Sequence, residues 1–123
     1  MKRFDRQILV SLYKTYQMNN DRQTILAQIK MAVLSVDPAA EAILFGSRAR
    51  GDSGTESDWD ILILVDKENV TWENERKFRH KLYDIELSIS QPISIFVYSK
   101  KDWNGRHKVT PLFESIKSEG ILI

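Results

Sequence analysis

Apolar residues recur along this chain at helical spacing in some stretches and in unbroken runs in others, and the alternation marks its elements. Phe4, Ile8, Leu12 and Tyr16 stand four apart, which predicts an amphipathic helix over residues 1–17. Met18-Asn19-Asn20 reads as a break. Asp21 is a favourable N-cap for a second helix to about Val36, with Ile25, Ile29, Val33 and Val36 along one face. Asp37-Pro38 ends it, because the residue before a proline disfavours the helical region. The pattern then collapses into short continuous runs at 42–45 and 61–64, which predict two buried strands. Thr71 can cap a further helix to about Leu87, striped by Phe78, Leu82, Ile85 and Ile89, with Glu73 and Glu75 at its positive end. Gln91-Pro92 breaks it and residues 93–98 read as a third strand. Residues 100–108 form a basic loop around Trp103, with Gly105 as its turn. Thr110-Pro111 opens a last helix and Gly120 closes it. Ile121-Leu122-Ile123 reads as a short terminal strand or a packed tail.

Strands alternating with helices in one small unit indicate α/β or α+β. The hairpin-like relation of the first two strands predicts a mixed sheet, with helices packed on one face. Residues 1–20 are set apart as an N-terminal helical extension, and 21–123 as the domain proper. The extension is read as a helix docked on its own domain, with a partner-binding arm as the alternative.

Composition narrows the classes. The chain has 123 residues, 42% hydrophobic and 28% charged, which suits one ordinary domain with a modest core. A net charge of +1 carries no bulk electrostatic signal for nucleic acid or a membrane surface. No apolar run approaches the length of a membrane span. The chain has no cysteine, so disulfides and thiolate metal sites are excluded and a reducing cytoplasm is the expected location.

Candidate chemistry concentrates between the first two strands, in FGSRARGDSGTESDWDILIL from Phe45 to Leu64. If these strands are antiparallel neighbours, Gly46-Ser47 at the end of one lies beside Asp58 and Asp60 at the start of the other. Side chains two apart on a strand share a face. Two carboxylates opposite a small polar turn suit Mg²⁺ carrying a phosphate, since Mg²⁺ is usually held by one or two carboxylates plus substrate oxygens. Gly46 and Gly51 stand as the outer glycines of a P-loop do, but Asp52-Ser53 follows where that motif needs a lysine, so a P-loop is excluded. Arg48 and Arg50 are candidates for bidentate phosphate contacts, against salt bridges to Asp52 and Glu56. The basic loop and His80 read as solvated surface, and neither histidine has a ligand partner at metal-binding spacing.

Gly-Ser, ten residues, then Asp-x-Asp, with a strand on each side, strongly resembles the signature of the minimal nucleotidyltransferases of the DNA polymerase beta superfamily. The resemblance implies a nucleotidyltransferase domain over 21–123 that moves a nucleoside monophosphate, AMP from ATP, to an acceptor and releases pyrophosphate. It implies Asp58 and Asp60 as metal ligands for Mg²⁺, and Gly46, Ser47, Arg48 and Arg50 around the phosphates. Small stand-alone members are commonly paired with a HEPN-domain toxin as its antitoxin, some by adenylylating it, so the resemblance points to a HEPN-domain protein as partner. It leaves oligomeric state open. Such enzymes also place a third carboxylate on the third strand. The matching inward position here is Ser94, and Asp84 and Glu86 are the nearest other acids. A hydroxyl is no base at neutral pH. The rival reading is therefore a module of the same fold that binds nucleotide or a protein without turnover.

Overall fold

The computed structural model describes residues 5–52, 54 and 57–123, with the side chains of residues 14–20 outside the description. Helix α1 spans Arg6–Val36, strand β1 Glu41–Phe45, the single turn α2 Ser47–Arg50 and strand β2 Trp59–Val65. Helix α3 follows at Trp72–Ile89, then β3 at Ile93–Ser99, α4 at Lys100–Asn104, a 3-10 turn at Arg106–Val109, α5 at Pro111–Glu119 and β4 at Ile121–Leu122. The strands form one mixed sheet in the order β3-β2-β1-β4. β1 lies antiparallel to β2 and to β4, while β2 and β3 are parallel and joined through α3. The α/β class and the mixed sheet are those expected from the pattern.

Two of the predicted helix starts carry their expected caps, while Asp21 lies inside α1 and caps nothing. Thr71 accepts from the Asn74 N–H, and Thr110 accepts from the Phe113 N–H with Pro111 in the first turn of α5. Two expectations need correction. The helix does not break at Met18-Asn19-Asn20 but runs unbroken for 31 residues from its N-cap Asp5, whose carboxylate accepts from the Gln7 N–H. An asparagine costs a helix interior only a few tenths of a kcal/mol, and continuing a helix is cheaper than nucleating another. Residues 100–108 are likewise not a loop. Ser99 caps α4 by accepting from the Asp102 N–H, and the 3-10 turn follows.

The sheet carries a core on both faces, so helices cover both of them and not one as expected, because β2 is apolar on each side. On one, Ile25, Ile29 and Val33 of α1 and Phe78 and Leu82 of α3 pack over Leu44, Ile61, Ile63, Ile95 and Val97. On the other, Trp103 of α4 and Phe113 and Ile116 of α5 pack against Phe45, Leu62 and Leu64. Trp103, centre of the supposed basic loop, is a core residue, stacked on Tyr98. Lys100 pairs with Glu41 and Asp66, and Arg106 with Asp102.

Residues 6–13 of α1 lie outside this packing. Ile8, Leu9, Val10, Leu12 and Tyr13 are each 46% to 62% exposed, so this stretch is not docked on the domain as expected. Phe4 and the Tyr16 side chain lie outside the described residues. No helix among the described residues is long and apolar enough to cross a membrane.

Removing residues 1–13 should therefore change the unfolding free energy by less than about 1 kcal/mol, as for other surface changes. Ile29→Ala, at a fully buried position, should cost about 2–5 kcal/mol. Urea unfolding of both variants measures the contrast.

Candidate active site

β1 ends at Phe45, which pairs with Asp60 across the antiparallel ladder. The next residue, Gly46, adopts φ 76° and ψ −159°, a region open essentially to glycine alone. A Cβ built on Gly46 would also overlap the Asp60 carboxylate. Backbone and space thus both demand glycine where the turn meets the acid. The Gly46 carbonyl then accepts from the Ala49 and Arg50 N–H groups at 3.1 Å each, closing the turn of α2, and Gly51 ends it in the left-handed conformation at φ 80°.

The carboxylates stand across from this turn. Asp58 is exposed just before β2, and Asp60 is half-buried within it. Trp59 between them turns to the opposite face and is 2% exposed. In the parallel ladder Asp60 lies level with Ser94, and the Ser94 hydroxyl donates to Asp58 Oδ2 at 3.3 Å. Ser94 therefore occupies the position on β3 that sequence reasoning assigned to it. Strand alternation places Asp60, Leu62 and Leu64 on the face that α4 and α5 cover. That cover sits over Leu62 and Leu64, and toward Ser94 it thins: Phe96, two residues on from Ser94, is 37% exposed even with its ring 5.6 Å from that of Phe45. The site is an open end of the second face.

Electrostatics at that end are unfavourable without a cation. Burial, and secondly the charge of Asp58, push the Asp60 carboxyl above its ordinary value, while the positive charge of Arg50 pulls the other way. Among the described residues no three acidic or histidine side chains converge as a ready metal cluster. Two carboxylates and a hydroxyl are the donor set.

The two arginines of the turn divide. Arg50 reaches Asp52 at 3.2 Å and Glu119 at 3.2 Å, and it is the one whose charge is felt at Asp60. Glu56, the other partner considered for it, lies outside the described residues. Arg48 turns away toward the start of β2. Its Nε donates to the Ser57 carbonyl at 2.9 Å, its Nη2 to Gln91 Oε1 at 3.2 Å, and its guanidinium carbon lies 4.2 Å from the centre of the Trp59 ring. Burial, then the nearby charge of Arg22, lower its pKa, and Asp58 opposes the shift. Glu86 accepts from the Ile93 N–H at 2.8 Å, beneath the face opposite Ser94, and Asp84 is exposed on α3. Neither acid joins the pair. His80 is exposed, and the His107 ring packs against Tyr98, 4.4 Å between centres.

Sequence reasoning missed Trp59 and Gln91 as parts of this region. Alternation in Asp58-Trp59-Asp60 signals that the tryptophan faces inward. For Gln91, which lies between α3 and β3, no local signal exists.

The raised Asp60 pKa has a definite sign. Above the folded-state pKa the charged Asp60 destabilises the apo protein, and this penalty fades as pH falls through that pKa toward the ordinary carboxylate range. Asp60→Asn should therefore raise the apo melting temperature at pH 7, with the gain shrinking as the pH is lowered. Thermal unfolding across pH 4–7 without metal checks it, and a gain that grows on acidification would contradict the assignment.

A protein of Methanocaldococcus jannaschii named as a candidate protein adenylyltransferase is 37% identical over 78 residues, covering 62% of this chain and 78% of its own length. The model of the family described as "Polymerase beta, Nucleotidyltransferase" matches residues 27–116, from the second half of α1 into α5. A match over most of the chain that takes in the turn, both carboxylates and the third strand shows that this protein belongs to the polymerase beta nucleotidyltransferase family.

Proposed function

We propose that this protein transfers AMP from ATP to a hydroxyl of a protein acceptor. The observation that carries this reading is the meeting of Gly46-Ser47 with Asp58 and Asp60, in a chain of nucleotidyltransferase family. In that reaction the acceptor oxygen bonds to the α-phosphorus, the bond to the β-phosphate oxygen breaks, and pyrophosphate leaves while the acceptor proton goes to solvent. The choice of AMP and of a protein acceptor is supported by the name of the archaeal relative.

The donor set fits Mg²⁺. Asp58 and Asp60 are hard oxygen ligands, and the repulsion that raises the Asp60 pKa is what a divalent cation relieves. When bound, Mg²⁺ would neutralise charge on the triphosphate. The chain's own part is positioning. Gly46 leaves room beside Asp60, the Ser47 hydroxyl and the Gly46 and Ser47 N–H groups would bind the outer phosphates, and Arg50 adds positive charge. Ser94 orients Asp58 through its hydrogen bond but accepts no proton at neutral pH. A HEPN-domain protein is the partner that the resemblance to stand-alone members favours, with this chain acting as its antitoxin in a reducing cytoplasm. One observation favours a second reading, a nucleotide-binding module with little turnover: a hydroxyl, not a carboxylate, stands level with Asp60 on β3.

Incubation with ATP labelled at the α-phosphate, Mg²⁺ and a HEPN-domain partner should leave label on the partner. Asp58→Ala with Asp60→Ala should abolish both the label and Mg²⁺-dependent ATP binding by titration calorimetry. Equal ATP affinity in that variant would remove the site. Ser94→Asp restores a carboxylate and should raise a weak wild-type rate, general-base assistance being worth about 10²–10⁴-fold. Strong wild-type transfer that Ser94→Asp lowers would show that another group takes the proton.

A further inference from the structure

Arg48 belongs to the turn but serves the carboxylate strand. Its Nε holds the Ser57 carbonyl at 2.9 Å, and that carbonyl begins the peptide plane leading into Asp58. Its Nη2 reaches Gln91 Oε1 at 3.2 Å, and the same oxygen accepts from Trp59 Nε1 at 2.7 Å. The Trp59 N–H donates to the Pro92 carbonyl at 2.9 Å, two residues before Ser94. The guanidinium also covers the buried Trp59 ring, 4.2 Å from its centre. One planar group thus joins the turn after β1, the entry to β2 and the entry to β3, the three segments that supply the candidate site. Bonds inside the loop, Ser57 N–H to the Gly54 carbonyl and Gly54 N–H to the Ser57 hydroxyl, shape the loop without reaching either strand.

We propose that Arg48 is a positioning residue, which sets Asp58 against Asp60 and Ser94 by clamping Ser57, Trp59 and Gln91. It acts through these neighbours and is distinct from any phosphate contact. The chemistry requires arginine. A rigid fork can hold a carbonyl and an amide oxygen while lying flat on an indole, and a lysine ammonium cannot meet all three demands. The proposal rests on the transferase reading for its kinetic consequence, but the clamp itself is independent of that reading.

The test compares Arg48→Lys, Gln91→Leu and the double variant. Arg48→Lys keeps the charge yet should lower kcat on the order of 10–100-fold, as a small misplacement of a reacting constellation does. The KM for ATP should stay within about threefold of wild type, because the loss falls on the transition state more than on ground-state binding. Gln91→Leu should act in the same direction, and the double variant should be no worse than the poorer single, since both break one network. In ¹⁵N spectra the Trp59 indole signal, assigned with Trp59→Phe, should shift in both single variants. If Arg48→Lys does not fold, Gln91→Leu carries the kinetic and spectral arms alone. Wild-type kcat in Arg48→Lys, or a tenfold rise in KM with kcat unchanged, overturns positioning in favour of a direct phosphate contact. If the wild-type protein shows no transfer, the transferase reading fails separately. The indole signal then decides, together with the Mg²⁺ concentration needed for half-maximal ATP binding. Both should move in Arg48→Lys, and if neither does the clamp is refuted.

Discussion

The close approach of Gly46 to the Asp60 carboxylate is the constraint on which the rest of the site depends. It follows from the register that sets Phe45 opposite Asp60, and it leaves no volume for a side chain at position 46. A backbone angle reserved for glycine adds a second, independent demand. A side chain at position 46 would therefore displace the Asp60 carboxylate from its place beside the turn.

That arrangement costs stability. Asp60 is half-buried and sits near another carboxylate, so its charged form is disfavoured in the apo protein. Sheets tolerate such a feature at an end where packing thins. Here α4 and α5 supply Trp103, Phe113 and Ile116 over Leu62 and Leu64, while the Asp60 and Ser94 level stays open. The opposite face is packed by α1 and α3. Stability and chemistry are thus divided between the two faces of one strand, Ile61 and Ile63 serving the first and Asp60 the second.

Arg48 shows how the two regions are linked. Its hydrogen bonds run toward Ser57 and Gln91 beside the buried Trp59, while Arg50 in the same turn pairs with Asp52 and Glu119 instead. Two arginines separated by one residue in a single helical turn lie on different sides of it, so their roles diverge for a geometric reason.

Local pattern determined a good deal of this protein. The three main strands, the caps at Thr71 and Thr110, and the shared face of Asp58 and Asp60 follow from spacing and turn chemistry, because strands alternate sides and caps need side-chain oxygens that accept from backbone N–H groups. The Gly-Ser and Asp-x-Asp signature pointed to the nucleotidyltransferase family by resemblance, on residues that sit at strand ends marked by the apolar runs. Other features lay beyond reach of any local signal. The continuity of α1 through Met18-Asn19-Asn20 reflects helix propagation overriding weak propensities, and the exposure of residues 6–13 reflects a stretch that neither core covers. The helical turns over residues 100–109 arise because Trp103 buries itself on the second face. The commitment of Arg48 to Gln91 joins residues 43 apart in the chain. Only the packing of α3 against the sheet delivers Gln91 beside the turn that holds Arg48, so only the tertiary structure could decide that bond.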